Sequence, residues 1–301
     1  MKKLKLNLSA VLLCGLVLSF SACNQNNSTD DLSDDDLQDL GGTVISETEN
    51  AASSTSISDA ITAAGGFSLP VSELQTRSVQ SRALPAGCLT IVGSNTDSDN
   101  DGVPDSITYI FDEAKCTQVV PAIRGGGTQT LGGQIKLEDT SPNVSDRSYR
   151  ETITALKYVR DPALKAKFTE TRDGTREVAQ AGNTSLTKTH NITLVRQVAL
   201  RAKVTLVNKM AFAYQVSGAG TIDLNQALPA GTFRLTGSNE FTVGNKVPRA
   251  FTTSTQAALV YNPSCESQRI VGGELRLTTP KTEVKIVFQA CGTDPVVSRV
   301  F

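Results

Sequence analysis

The chain has no tryptophan, a single histidine and an aromatic share of 5%. One histidine and widely spaced cysteines cannot supply the four ligands of a zinc site. No G-x-S-x-G elbow occurs, which removes the sequence signature of a serine hydrolase built on that turn. The Gly125-Gly126-Gly127 run lacks the strand–glycine–helix setting of a phosphate loop and reads as a connection. His190 sits in the alternating polar run Thr187–Ile192, where a lone histidine is expected to be exposed and not catalytic. Adjacent carboxylates such as Asp112-Glu113 remain as candidates for glycoside chemistry. No complete catalytic constellation is present, so no catalytic residue is assigned and a non-enzymatic role is expected.

Basic residues are also missing where acids concentrate. From Asn24 to Gly65 there are nine Asp or Glu and no Lys or Arg. This stretch has no aromatic residue and is rich in Ser, Asn, Thr and Asp. Such a composition cannot bury enough apolar surface to offset its ordering entropy, so residues 23–65 are expected to form a disordered acidic tether. A flexible chain of about 40 residues has a root-mean-square reach of roughly 35 Å. Outside this stretch and the N-terminal lysines, 26 basic residues face 21 acidic ones, leaving the body basic.

The N-terminus places the chain in a compartment. Lys2, Lys3 and Lys5 form a basic head, and Leu6–Phe20 is a mostly apolar run. That run falls short of the about 20 residues a spanning helix needs. Ser21 and Ala22 follow, then Cys23. A basic head, an apolar body and a small-residue exit are the parts of a secretory signal peptide, here residues 1–22. With the cysteine directly after the small pair, the segment resembles the lipobox of bacterial lipoproteins, with Phe20 where Leu is usual. The resemblance implies that Cys23 becomes the first mature residue and carries diacylglycerol and palmitate. Asn24 in place of Asp implies, by the same resemblance, the outer membrane of the cell envelope.

The body, residues 66–301, contains an internal repeat. ALPAGCLTIVGSN (Ala83–Asn95) answers ALPAGTFRLTGSN (Ala227–Asn239), and Val103-Pro104 answers Val247-Pro248 in the same register. Further on, GGQIKL (Gly132–Leu137) answers GGELRL (Gly272–Leu277). The period is far too long for a solenoid. Glu283–Phe288 alternates, with Val284, Ile286 and Phe288 on one face, and Thr152–Val159 is rich in β-branched and aromatic residues. Asp173-Gly174 has the composition of a tight hairpin turn between Phe168–Arg172 and Thr175–Ala179. Strands are also expected over Thr184–Val195, Arg201–Val207 and Met210–Ser217. Helical periodicity is scarce, with Ser58–Ala64 and Pro162–Lys167 the best candidates. The expected fold is all-β: an antiparallel β-sandwich or strongly curved sheet built from two related modules packed together. The first module covers about 83–159, an insert about 160–226, and the second about 227–301. Between Arg150 and Met210, twelve Lys or Arg face five acids. That surplus is expected either to be a solvated strand face or to attract an anionic envelope polymer. Export and the lack of interleaved aromatics exclude nucleic acid as a partner.

One loop carries chemistry. Asp97, Asp99 and Asp101 recur every second residue, followed by Gly102, Val103, Pro104 and Asp105. Packed carboxylates repel each other unless a cation joins them, and glycine permits the sharp bend. The pattern resembles the first nine positions of an EF-hand loop and, more closely, the calcium loops of thrombospondin type 3 repeats. The resemblance implies side-chain ligands from Asp97, Asp99, Asp101 and Asp105 and a carbonyl ligand from Val103. Thr108 stands where an EF-hand has its bidentate Glu, so a weak site is expected, with a Kd on the order of 10⁻⁴ to 10⁻³ M. The repeat has Phe241, Val243, Asn245 and Arg249 at the matching positions, so only one half is expected to bind metal.

Cys88, Cys116, Cys265 and Cys291 remain after the N-terminal pair, an even number in an exported chain, and two disulfides are expected. Cys88 and Cys116 are equidistant from Gly102, so a hairpin of Leu89–Gly93 with Ile107–Phe111 brings them together. Cys265 and Cys291 bracket a second hairpin, Arg269–Leu277 with Glu283–Ala290. The expected pairs are therefore Cys88–Cys116 and Cys265–Cys291, each worth about 3 kcal/mol.

The resulting expectation is a lipid-anchored envelope protein with a binding, adhesion or structural role, partnered by the membrane and by an anionic polymer or another envelope protein. A lipophilic-ligand carrier with an apolar groove and an envelope hydrolase using loop carboxylates are the alternatives. Intact mass spectrometry of the protein from a bacterial envelope tests the anchor. It should show a chain that begins at Cys23 and carries added acyl mass, and Cys23→Ser should abolish that addition.

Overall fold

The computed structural model describes residues 4–5, 40–45, 48, 85–94, 96–119, 126–143, 147–162, 166–224, 228–265 and 269–300. They form fourteen strands: β1 (Leu4–Lys5), β2 (Leu89–Ser94), β3 (Ser106–Phe111), β4 (Thr117–Val119), β5 (Thr128–Asp139), β6 (Ser148–Asp161), β7 (Phe168–Ala181), β8 (Ser185–Val198), β9 (Val204–Val216), β10 (Gly231–Val243), β11 (Arg249–Tyr261), β12 (Ile270–Thr278), β13 (Glu283–Phe288) and β14 (Val296–Val300). All lie in one antiparallel sheet. Its order follows the chain from β2 and β3 through β5 to β14, with β4 beside β5 and β1 on the far edge of β14. The all-β, antiparallel expectation is met. The two repeat-bearing stretches occupy opposite ends of one continuous sheet, joined through β7, β8 and β9, where two packed modules were expected.

Period-two alternation explains the burial. Along β9, Leu206, Asn208, Met210, Phe212, Tyr214 and Val216 are buried. The residues between them are exposed or half-exposed. One face of the sheet therefore points inward from end to end, and its side chains join a single core cluster. A sheet this wide, with little helix to cover it, buries that face by curving strongly. Residues 40–45 form a short helix inside the curve, with Leu40, Val44 and Ile45 in the core and Gly41 against Val297 of β14. This corrects the tether expectation for these residues. Their apolar side chains, in a stretch where acids dominate the composition, find an inward-facing surface that composition alone does not reveal. Apart from Thr48, the rest of the expected tether and the Ser58–Ala64 helix lie outside the described residues. So does the middle of Pro162–Lys167, residues 163–165.

Asp173-Gly174 is not a turn. It lies within β7, which pairs through it with β8 (Asp173↔Thr193, Gly174↔Ile192). The positive φ of Gly174, 138°, serves a bulge: β6 skips register between Ile153 and Leu156, and Asp173 Oδ1 accepts the Ala155 N–H at 2.6 Å. A Cβ at Gly174 would lie 2.1 Å from the Asn191 carbonyl oxygen. A bulge and a hairpin turn draw on the same glycine chemistry. Likewise, the two strands expected over Arg201–Val207 and Met210–Ser217 are the single strand β9.

His190 is buried, against the expectation of exposure. It belongs to an inward row that crosses the sheet as Glu151, Arg176, His190 and Met210. Arg176 Nη1 donates to Glu151 Oε2 at 3.2 Å. Glu170 lies between Arg172, at 2.8 Å, and Arg196, at 2.9 Å. Burial alone would raise the Glu170 carboxyl, but the two guanidiniums outweigh it and hold it below the usual range. Burial, reinforced by Arg176, Lys188 and Arg172, pushes His190 well below the usual imidazole range, so the ring is neutral.

Two outcomes follow from this ionic layer. Glu170→Gln leaves Arg172 and Arg196 with an uncharged partner and should cost several kcal/mol, about 3–5 for a broken buried pair, in urea denaturation at pH 7. Because the folded carboxyl is depressed, that deficit should be full above about pH 4.3, the unfolded carboxyl's value, and shrink as pH falls from there through the lower folded one. The unfolded chain protonates His190 below about pH 6.5 while the fold cannot, so this residue removes about 1.4 kcal/mol of stability per pH unit below that point. A His190→Met variant should show a flatter stability profile between pH 6.5 and 5.

Candidate metal site

The site is the tip of the β2–β3 hairpin. Its strands pair from Leu89↔Phe111 to Ser94↔Ser106. The base is closed by the Cys88–Cys116 disulfide, and the second disulfide joins Cys265 to Cys291, both as expected from sequence. The closure differs from simple symmetry. Cys88 faces Asp112, whose N–H donates to the Cys88 carbonyl at 2.9 Å. A turn over Asp112–Cys116, with Cys116 N–H donating to the Asp112 carbonyl at 2.7 Å, swings the second cysteine back.

At the tip, Asp97, Asp99 and Asp101 converge, with one oxygen from each lying within 4.8 Å of the others. The chain achieves this by wrapping around its own carboxylates. Asp97 accepts the N–H groups of Asp101 (3.1 Å) and Gly102 (2.8 Å). Asp101 Oδ1 accepts the Val103 N–H at 2.6 Å. Gly102, at φ 93°, and Asn100, at φ 60°, supply the left-handed backbone that the wrap requires. Asp101 is only 1% exposed, and its Oδ2, like Asp99 Oδ2, is buried and accepts no hydrogen bond.

The electrostatics follow from this crowding. Burial raises the Asp101 carboxyl above its usual range, and the charges of Asp99, Asp139 and Asp97 push the same way. Asp99 is raised by burial and by Asp97 and Asp139. Asp105 behaves differently. Its two oxygens accept the Ser98 N–H at 2.9 Å and the Ser98 hydroxyl at 2.6 Å, and these bonds hold it below the usual range. It stands outside the three-carboxylate cluster and ties the two ends of the loop together. Val103 is buried beside the cluster and reaches it through its amide.

Asp139 was not singled out from sequence. β3 pairs with β5 from Ser106↔Glu138 to Phe111↔Gly133, so the end of β5 arrives under the loop. The Asp139 N–H donates to the Asp105 carbonyl at 3.2 Å, which fixes that approach. Only the strand pairing reveals it.

The other candidates disperse. Asp112 pairs with Lys115 at 3.0 Å and Glu113 with Lys157 at 2.7 Å, so each is held by a cation on its own surface. Of the twelve basic residues from Arg150 to Met210, Arg172, Arg176 and Lys188 point into the core. Arg150 pairs with Glu177 and Lys167 with Asp161. The surplus counted along the sequence is therefore not a single outward patch. A shallow depression of about 400 Å³ opens on the outward face over Gly237, rimmed by Thr189, Asn191, Lys209, Thr236 and Ser238, and its lining contains no carboxylate. No helix among the described residues is long and apolar enough to cross a membrane. Comparison with protein-family models, curated proteins and solved structures found no match.

Proposed function

We propose that this chain is an exported, lipid-anchored protein of the bacterial envelope with a binding, adhesion or structural role, whose β2–β3 hairpin is fastened by calcium. The observation that carries the metal reading is Asp101: a carboxylate 1% exposed, beside two others, with an oxygen that no donor reaches. Three hard oxygen donors at one point suit Ca²⁺. Asp97, Asp99 and Asp101 would hold the ion. Val103 and Asp105 complete the loop pattern, and Asp139 adds negative charge from β5. Bound calcium would supply the charge compensation that the crowded carboxylates lack and so would brace the hairpin tip as the disulfide braces its base.

The chemistry of the inward face supports a scaffold over a lipophilic carrier. A groove for an apolar ligand is lined mainly by aliphatic and aromatic side chains. Here the middle of the inward face carries Glu151, Arg176, Lys188, His190, Glu170 and Arg172. The ion-paired state of Asp112 and Glu113 gives no support to carboxylate hydrolysis.

Calorimetric titration should give a Kd on the order of 10⁻⁴ to 10⁻³ M for Ca²⁺. At about 10 mM Ca²⁺ the corresponding stabilisation is about 1.4 to 2.7 kcal/mol, read as a rise in the thermal midpoint over EDTA-treated protein. Asp101→Asn should weaken binding at least tenfold and leave the EDTA-treated midpoint equal or higher, because it relieves carboxylate repulsion. A midpoint indifferent to calcium, with no heat of binding, would remove the metal from this account.

A further inference from the structure

The two ends of the long strands form unlike rims. The pairings Phe168↔Val198, Arg196↔Val204, Val243↔Val204 and Phe241↔Arg249 set the β8–β9 and β10–β11 turns side by side at one rim. The β3–β5 and β5–β6 registers put the aspartate loop and Asp139 at the opposite rim. Backbone bonds tie the first rim together. The Ala199 N–H donates to the Lys167 carbonyl at 2.8 Å and the Gly244 N–H to the Lys203 carbonyl at 2.6 Å. Residues 199–203 read Ala-Leu-Arg-Ala-Lys and residues 244–248 read Gly-Asn-Lys-Val-Pro, and all ten are exposed. At the tips, Leu200 is 105% and Val247 80% exposed, the two most exposed large hydrophobic residues among those described. Leu200 also takes φ 67°, a left-handed conformation that glycine and asparagine adopt far more readily than leucine. Gln197 Nε2 braces this turn by donating to the Val198 and Arg201 carbonyls at 3.0 and 2.7 Å. Stability alone would favour a small polar residue there, yet the turn holds an aliphatic side chain out into water. Arg201, Lys203 and Lys246 flank the two tips. β8, β9 and the turn between them contain no Asp or Glu, and residues 231–261 contain only Glu240. Lys167 adds nothing to this surplus, because it faces Asp161 at 3.8 Å.

We infer that this rim docks on an anionic lipid bilayer, with Leu200 and Val247 entering the headgroup layer and Arg201, Lys203 and Lys246 against lipid phosphates. The combination selects the occupant. Aliphatic tips flanked by cations match a surface that is charged outside and apolar just beneath. A soluble polyanion would use the cations and leave the two aliphatic tips in water. The opposite rim enforces the orientation. Asp97, Asp99, Asp101, Asp105 and Asp139 leave it acidic even around a divalent cation, so the same headgroups repel it. The inference rests on the membrane anchor of the proposed function. The roughly 17 residues between Cys23 and Leu40 span at most about 60 Å, more than the about 43 Å of a 13-residue strand. That leash lets either rim reach the bilayer, and charge decides between them. Two aliphatic side chains bury little area, so the tips orient a body that the acyl chains hold.

The test uses protein purified from the envelope and placed on vesicles of phosphatidylethanolamine with phosphatidylglycerol, or of phosphatidylcholine alone. Four cysteines of the body are held in disulfides, so Val247→Cys offers one thiol for a nitrobenzoxadiazole label. On phosphatidylglycerol vesicles its emission should shift to the blue and be quenched by a nitroxide carried on lipid. The same label at Asn183→Cys, in the β7–β8 turn of the opposite rim, should stay in water. Arg201→Gln should lower the ratio of docked to undocked tips about fivefold. Leu200→Ser should lower it as well. Salt at about 1 M, where the screening length is about 3 Å, should return the tip to water without any substitution at the cations. A Val247 label that stays in water on phosphatidylglycerol vesicles overturns the inference, and so does one that enters phosphatidylcholine equally well. Binding of soluble dextran sulfate with the label still in water on vesicles assigns the rim to a polyanion and also overturns it. Flotation with phosphatidylcholine vesicles reads the anchor separately, and the label decides the inference whichever way that falls.

Discussion

One buried face on one continuous sheet is the constraint from which the rest of this structure follows. Strands of 12 to 14 residues in β5 to β11 repeat the same alternation, and every adjacent pair is antiparallel. Because the inward side chains have, among the described residues, little but each other and the short helix at 40–45 to pack against, the sheet bends. Bending demands bulges, and the glycines at 133 and 273 show where they fall. Both adopt φ near 100°. A Cβ at either would strike a carbonyl oxygen of the neighbouring strand, that of Ala155 or Ala258, at 2.2 or 2.4 Å. The GG pairs of the sequence repeat are therefore points of close backbone approach in a curved sheet.

Curvature also decides where charge goes. In the middle of the sheet the inward rows of β7 and β8 mix polar side chains (Glu170, Arg172, Arg176, Gln180, Lys188, His190) with apolar ones (Val178, Leu186, Ile192, Leu194). Of their seven Asp, Glu, Lys and Arg residues, Glu170, Arg172, Arg176 and Lys188 are buried. There they form pairs that are strong only as complete sets: Glu170 with Arg172 and Arg196, and Glu151 with Arg176. Breaking such a set costs far more than an exposed ion pair contributes. The interior is specified by charge in its middle and by aliphatic and aromatic packing toward its ends.

The sequence was readable where signals are local. Val284, Ile286 and Phe288 share a buried face as their alternation indicates. Both disulfides join the cysteines that bracket a hairpin. The D-x-D-x-D-G spacing places three carboxylates at one point because the backbone has little choice once Asn100 and Gly102 are left-handed. Signals that depend on distant partners were not readable. Asp173-Gly174 looks like a turn until β8 is seen to run alongside it, and His190 looks exposed until the opposing rows bury it. Asp105 and Asp139 take roles set by Ser98 and by the β3–β5 register, neither of which leaves a trace in spacing. Counting cations along β6 to β9 misjudges the surface because alternate residues leave it.

The core position of Leu40 has a consequence for how the body would be held at a bilayer. If Cys23 bears the acyl chains, only roughly 17 residues separate the anchor from a side chain locked inside the sheet. At 3.3–3.6 Å per residue that span is at most about 60 Å, well under half of what a leash ending near residue 65 would permit. Such a protein is moored close to its membrane, and whatever it meets must come within that short radius.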